Sequence, residues 1–475
     1  MSGVSQALAD RLRAAGQEHL VAAAEALGPG DREHLVADIE GLDLDRVSEL
    51  VDRFCGDQRE AEEALADIGP PDAVGIPRDA DALVRDREAR AEGEALLRSG
   101  RVGCVLLAGG QGTRLGFEGP KGDYPFAPVT GRTLFWNHCA KIAALRERYG
   151  CELPFCVLTS PANDAATREL FAANRNYGLA EGSVRFVVQG TMPAVDAASG
   201  RILLEAPDRL ALSPDGHGGV LAALRRAGVL DEWTGAGLTT VYTFQVDNPL
   251  VRVARPEFLG HHALAGAEMS TVVVRKTSPQ EKMGVVADVG GRTAVVEYSD
   301  LPDDLARWTD EDGGLVLWAG SIAVHCIELE FIGRVTDAAA GLPFHRALKK
   351  VPHVGPDGTR VAPEGPNAIK FETFLFDALP EARATATVEA AREDEFSPIK
   401  NAEGADSPAT ARVHLNELYA RWLAAAGVEV PRVDGMPVDL EIDPRFALDA
   451  DQLAARIPPG LTIDGPTAIG QEDRG

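Results

Sequence analysis

The chain is poor in the residues that mark several protein classes. Its 475 residues include only six cysteines, Cys55, Cys104, Cys139, Cys151, Cys156 and Cys326, scattered and with no CxxC pair. A disulfide scaffold or a cysteine zinc site needs clustered, regularly spaced thiols. Both are excluded, and the expectation is free thiols, buried, in a reducing cytosol. His261, His262 and His345 have no metal-like spacing to cysteines and read as surface or packing residues. Positive charge is also scarce, with 47 Lys and Arg against 73 Asp and Glu, a net charge of −26. That balance argues against general binding to nucleic acid or to anionic membranes. No apolar run approaches the length of a membrane span. The first twenty residues, MSGVSQALADRLRAAGQEHL, are amphipathic and lack the apolar centre of a signal peptide, so a cytoplasmic protein is expected. There is no internal repeat, no low-complexity tract and no nucleophile-elbow context for a Ser/His/Asp set.

What the chain does have is a glycine-rich stretch, LLAGGQGTRLGFEGPKG, at residues 106–122. An apolar run, 102–107, breaks into a loop with glycines at 109, 110, 112 and 116 and with Arg114 and Lys121 behind them. Glycines let backbone N–H groups approach a ligand closely. Concavities of that kind bind phosphate oxygens, and two nearby cations suit a polyphosphate. No Gly-Lys-Ser/Thr follows, so this is not a Walker A loop. Gly110, Gly112 and Gly116 are one residue too wide for the dinucleotide fingerprint, which counts against a dehydrogenase.

Length suggests two or three domains. Residues 1–98 are rich in Ala, Leu, Glu and Arg, with apolar residues such as Leu8, Leu12 and Ala15 at helical spacing. They read as a helical N-terminal region with a partly irregular linker at 68–79, and Asp31 is expected to cap the second helix. From residue 99 to 400 the pattern changes to short apolar runs, VGCVLLA, PFCVLTS, VRFVVQG, TTVYTFQVD and MSTVVVRK, alternating with helical segments such as 133–148 and 164–174. Near-continuous apolar runs suit parallel strands buried on both faces, and the alternation indicates an α/β sheet covered by helices on both faces. Sites in such sheets lie at the carboxyl ends of strands, where Gly109, Gln189 and Asp247 fall. After residue 400 a polar stretch, a helix at 409–426 and a proline-punctuated tail suggest a small C-terminal lobe, 401–475.

GGQGTRLG followed by PKG closely resembles the signature of the UDP-sugar pyrophosphorylases, and within them the UDP-N-acetylhexosamine pyrophosphorylases. AGQEHL at 15–20, QGTMPAVD at 189–196, SPDGHGG at 213–219 and VDNPLVRVARPEFLG at 246–260 are similar to further segments of that family. So are KTSPQEKMGVV at 276–286, VVEYSDL at 295–301, PNAIKFETFLFD at 366–377 and REDEFSPIKNAEG at 392–404. These blocks run in family order over most of the chain. The resemblance implies an α/β, GT-A-like (Rossmann-like) nucleotidyltransferase domain. The implied reaction is attack of a sugar 1-phosphate on the α-phosphorus of UTP, giving a UDP-sugar and pyrophosphate with the help of Mg²⁺. Neither the motifs nor the composition choose between a monomer and a homo-oligomer.

Roles follow from the same resemblance. Arg114 and Lys121 contact the triphosphate, and Lys400, in SPIKN, stands next to the sugar phosphate. Asp247, in VDN, matches the metal-binding position, and a carboxylate is a suitable ligand for a hard cation. Gln189 reads uracil, with Gly109 and Gly110 giving backbone contacts to base and ribose, and His217 and Gly218 belong to the uridine side. Gly284, Glu297, Ser321, Phe374 and Phe376 match positions lining the sugar pocket. Two residues depart from the N-acetylhexosamine pattern. His217 stands in GHGG where those members have Asn, as in the UDP-glucose relatives, and Ser321 replaces an Asn expected at the sugar. N-acetylglucosamine 1-phosphate is the leading substrate, with glucose 1-phosphate or a broad range as the alternative. A non-catalytic nucleotide-sugar sensor is a third reading, against which the retained charges Arg114, Lys121, Asp247 and Lys400 argue.

Overall fold

The computed structural model describes residues 4–55, 65, 67–338, 341–355 and 358–470. The chain divides into two compact units. The smaller comprises residues 1–66, 189–222 and 340–377; the larger comprises 67–188, 223–339 and 378–475.

In the larger unit the apolar runs build one mostly parallel sheet. Its main path runs Ala73–Val74, Thr385–Glu389, Met269–Arg275, Ala319–Glu328, Thr240–Gln245, Val102–Leu107, Phe155–Thr159, Val184–Val188. Only Ala319–Glu328 runs against its neighbours on this path. Strands 102–107, 155–159, 184–188 and 240–245 pair in parallel, as their unbroken apolar character predicts, and 102–107 is buried at every position. The MSTVVVRK run is parallel to 385–389 but antiparallel to 319–328, a neighbour its own pattern does not announce. A hairpin, Val285–Val289 with Arg292–Val296, joins the sheet through Gly320. The unit is α/β with a large, mostly parallel central sheet.

Helix Leu134–Tyr149 starts where Thr133 accepts the Trp136 N–H and stops at Gly150, which adopts the left-handed conformation. Helix Asp164–Ala173 follows the next strand. Helix Pro408–Ala425 opens with a capping box between Ser407 and Thr410. Its Leu415, Leu418 and Leu423 share one core with Leu106, Val157 and Phe244 of the central sheet.

In the smaller unit, helices Gln6–Ala14, His19–Ala26, Pro29–Glu40 and Leu44–Phe54 bury Leu12, Leu20, Leu35, Ile39, Val47 and Leu50 against Val195, Ile369 and Phe371. The last three lie on a three-stranded antiparallel sheet, Phe344–Lys349, Ala368–Thr373 and Val195–Asp196. Asp31 does not cap: Gly28 is the N-cap, because Pro29, with φ already helical, starts the helix and leaves Asp31 within its first turn. The AGQEHL segment proves to be a clamp. Gln17 donates to Gly200 O at 3.1 Å and accepts from Ile202 N at 2.8 Å, and the His19 Nε2 lies 2.9 Å from Ile202 O.

All six cysteines are free thiols: Cys104, Cys139, Cys156 and Cys326 are buried, Cys55 and Cys151 partly so. Burial pushes the Cys156 thiol up to about 12 and raises those of Cys104, Cys139 and Cys326 too, so these four buried sulfurs are inert filling rather than nucleophiles. His262 is buried between Ser270 and Glu328, a packing role of the expected kind.

Candidate active site

The glycine loop leaves strand Val102–Leu107 and folds back on itself. Gly112 N donates to Gly119 O at 2.9 Å, and Lys121 N donates to Gly110 O at 3.1 Å. A single turn, Thr113–Leu115, ends at Gly116 with φ 67°, where a side chain would be strained. The Lys121 backbone is thereby returned to the loop's first glycines. At Gly122 a Cβ would lie 2.2 Å from the Phe135 ring, so the motif's last glycine is a packing requirement. Two residues that were not singled out hold the loop from outside. Ser160 Oγ donates to Gly109 O at 2.8 Å, and Asn163 Nδ2 donates to Ala108 O at 2.9 Å and Gly110 O at 3.3 Å. Both follow strand Phe155–Thr159, Ser160 directly and Asn163 three residues later; small polar residues just past a buried strand were the available signal.

Lys121 Nζ lies 3.2 Å from Asp247 Oδ2, with side chains only 10% and 16% exposed. Asp247 follows strand Thr240–Gln245, where Val246 N donates to Leu107 O at 3.1 Å. Ile399 N donates to Asp247 O at 2.8 Å, which ties the neighbour of Lys400 to the carboxylate's own backbone. Lys400 is partly exposed, its Nζ 3.6 Å from Asp406 and 5.8 Å from the Phe396 ring centre. Arg114 stands exposed on the loop's single turn. The larger unit therefore brings Lys121 and Asp247 into contact and fastens the Lys400 segment beside them.

Asp247 has the chemistry of a hard-cation ligand. Magnesium keeps several waters and commonly takes one or two carboxylates together with substrate phosphates, rather than an all-protein cage. One carboxylate beside a phosphate-type loop fits that pattern. Among the described residues the one cluster of three groups able to hold an ion is Asp31, His34 and Asp208, on the surface of the smaller unit.

Gly284, Glu297 and Ser321 also come together in the larger unit. Ser321 N donates to Gly284 O at 2.8 Å, and a Cβ on Gly284 would lie 2.9 Å from Glu297 Oε1. Pairing with strand Met269–Arg275 slips between Thr271 and Val273, and Ala323 has φ 54°. This bulge re-aims the strand next to Ser321. The Ser321 hydroxyl accepts from Ala323 N at 3.3 Å.

In the smaller unit Gln189 is buried, its amide Nε2 3.3 Å from Gly216 O. Gly216 has φ 85°, and a Cβ there would lie 2.3 Å from Thr373 O. Gly218 N donates to Thr373 O at 2.9 Å. This close approach explains Gly216 and Gly218, whereas a Cβ on Gly219 would meet Asp215 Oδ1 at 2.1 Å. The Leu375 N–H donates to His217 Nδ1 at 3.1 Å, which places the ring proton on Nε2. Burial, with neighbouring His345 adding to it, pulls the imidazole down to about 4. Phe374 packs on His217 and on Phe376 at ring separations of 5.4 and 5.0 Å, and its other neighbour, His345, bonds Asp377 at 2.8 Å. Of the expected uridine and sugar residues, Gly109, Gly110, Gly284, Glu297 and Ser321 belong to the larger unit, and Gln189, His217, Gly218, Phe374 and Phe376 to the smaller.

A glycine loop with a buried lysine, a carboxylate at a strand's end and a mostly parallel sheet define the class: a nucleotidyltransferase. The chain belongs to the UTP–glucose-1-phosphate uridylyltransferase family, whose model matches residues 45–416. It is 34% identical to UDP-N-acetylglucosamine diphosphorylase 1 of Arabidopsis thaliana, over 98% of this chain and 94% of that one. It is 37% identical to UDP-N-acetylhexosamine pyrophosphorylase-like protein 1 of Homo sapiens, over 88% and 85%. The solved UDP-N-acetylglucosamine pyrophosphorylase of Trypanosoma brucei superposes with a TM-score of 0.81 at 27% identity, covering 98% of each chain.

Proposed function

We propose that this enzyme joins UTP to N-acetylglucosamine 1-phosphate, releasing pyrophosphate and forming UDP-N-acetylglucosamine. A sugar-phosphate oxygen attacks the α-phosphorus, and the bond from that phosphorus to the oxygen bridging to the β-phosphate breaks. Both reactants are anions, so the reaction needs positioning and charge neutralisation rather than a covalent nucleophile. The observation that carries this reading is the nearly buried Lys121–Asp247 pair behind the glycine loop, in a chain of net charge −26. Lys121 binds the transferring phosphate, Arg114 the rest of the triphosphate, and Lys400 the sugar phosphate. Asp247 would hold Mg²⁺, which when bound neutralises developing charge on the phosphates. Gln189, with Gly109, Gly110, His217 and Gly218, orients the uridine. Gly284, Glu297, Ser321, Phe374 and Phe376 line the sugar side. The architecture is of the GT-A-like type. No helix among the described residues is long and apolar enough to cross a membrane. A cytoplasmic location is in keeping with six unpaired thiols.

One observation favours a wider sugar range. Ser321 offers a single hydroxyl where an amide is expected, already engaged by Ala323 N. It leaves more room and fewer fixed hydrogen bonds. Pyrophosphate release measured with UTP, Mg²⁺ and a panel of sugar 1-phosphates tests both points. We expect turnover of N-acetylglucosamine 1-phosphate, with glucose 1-phosphate within about tenfold, the worth of about one hydrogen bond. Ser321→Asn should then raise the acetamido preference. No release from any sugar would overturn the reaction. A native preference above about a hundredfold would overturn the broad range.

A further inference from the structure

Helix Leu134–Tyr149 lays polar side chains on the segment that carries Asp247, all within the larger unit. His138 Nε2 lies 2.9 Å from Val246 O, so that nitrogen donates and the buried Nδ1 carries no proton. Asn137 Nδ2 donates to Pro249 O at 3.1 Å. Lys141, one turn further on, donates to the same Pro249 O at 2.6 Å and to Val251 O at 2.8 Å. From another direction Asn248 Nδ2 donates to Glu395 O at 2.7 Å, and its Oδ1 accepts from Ser397 N at 3.1 Å. Backbone carbonyls on both sides of Asp247 are therefore gripped from one helix face.

Resting on the uridylyltransferase reading, we propose that Lys141 is a positioning residue for the reaction: its ammonium, seated on the Pro249 and Val251 carbonyls, fixes the backbone that aims the Asp247 carboxylate. Burying an ammonium is expensive unless it is fully hydrogen-bonded. A packing role alone is filled more cheaply by methionine or leucine at this point of the helix. What a lysine adds is two charge-assisted bonds on one short stretch of backbone. The cost is visible, since burial pulls the Lys141 ammonium down to about 7, with Glu395 acting the other way. Glu395 is itself engaged by Arg255 at 2.7 Å, so Lys141 works on the carbonyls rather than as that carboxylate's partner. A donor on the backbone beside the reacting groups can set their aim without touching substrate, and small misplacements are costly to rate.

The test uses the full chain. Native protein is assayed first for pyrophosphate release from UTP and N-acetylglucosamine 1-phosphate, and for Mn²⁺ binding in the presence of UTP by electron paramagnetic resonance. For Lys141→Met we expect kcat lower by about tenfold or more, KM for UTP within about threefold, and Mn²⁺ binding weakened in parallel. Lys141→Arg, which keeps a charged donor, should recover part of both. A folded Lys141→Met protein with kcat and Mn²⁺ affinity per folded molecule unchanged would overturn the proposal, whatever its melting temperature. If Lys141→Met does not accumulate folded, Asn137→Leu removes the other bond to Pro249 O. It must then move kcat and Mn²⁺ binding the same way, and unchanged values overturn the proposal equally. A native protein that binds Mn²⁺ and UTP yet releases no pyrophosphate would sink the function reading, leaving the Mn²⁺ shift to decide the positioning role.

Discussion

Two regions carry the candidate chemistry, and they treat charge in opposite ways. In the larger unit Lys121 and Asp247 stand 3.2 Å apart with little solvent around them, an ammonium in contact with a carboxylate. In the smaller unit His217 sits against Phe374 and Phe376, accepts the Leu375 N–H and is held neutral well below its ordinary range. Moving a phosphoryl group needs full charges at fixed points. Recognising a flat, uncharged ring or a sugar face needs oriented dipoles and apolar surface, where a stray charge would cost desolvation for no gain. On the proposed roles, the chain gives each demand to a different packing environment.

The sharpest way to break this comparison is to remove charge from the larger unit. Lys121→Ala should lower kcat/KM by roughly two orders of magnitude or more, the scale of a lost transition-state contact, as measured by pyrophosphate release. A variant with near-native turnover would take Lys121 out of the mechanism. Next in size is Asp247→Asn. It should keep the fold by circular dichroism yet raise the Mg²⁺ needed for half-maximal rate by about tenfold or more, since a neutral amide is a poorer ligand for a hard cation. An unchanged Mg²⁺ dependence would remove that role.

The smallest expected effect tests the neutral side. The folded His217 imidazole is lowered from 6.5 to about 4, so between those values the unfolded chain binds the proton first. Its share of stability is complete above about pH 6.5 and is lost as pH falls toward 4. His138, buried and lowered to about 3, acts with the same sign in the larger unit. The melting temperature should therefore drop on acidification through this window. His217→Asn should drop less, because one lowered ring is gone while His138 and the other lowered rings, His19, His261 and His414, remain. An identical pH slope in both proteins would mean that His217 is not held neutral.

Legibility in the sequence followed contiguity. The glycine loop stood out because its glycines, Arg114 and Lys121 fall within one short stretch, and the apolar runs before it and at 155–159 and 240–245 are strands as their composition demands. Strand Ala319–Glu328 was less visible, since Gly320, Ser321 and His325 interrupt its apolar character. Lys121 and Asp247 are separated by 126 positions, and only the parallel pairing of strands 102–107 and 240–245 brings their ends together. Family resemblance supplied the carboxylate; spacing alone did not. Asn137, His138 and Lys141 were missed because polar residues on a helix read as a solvated face, and nothing local says that this face meets a strand's exit. In the smaller unit Gln189, His217 and Phe374 come from two distant chain segments, so no periodicity could have joined them.

The Lys121–Asp247 contact has a consequence for how the enzyme waits. An ammonium that already holds a carboxylate offers little to a passing inorganic anion, and the carboxylate offers equally little to a passing cation. Because both side chains are nearly out of solvent, bulk salt screens this contact far less than it screens surface charges. On the proposed roles, capture of a nucleotide phosphate is an exchange of partners, in which Lys121 trades one oxyanion for another while Asp247 is set free. Such a trade would keep the number of opposed charges nearly constant, so the proposed roles make the resting site selective for a ligand that satisfies both residues at once.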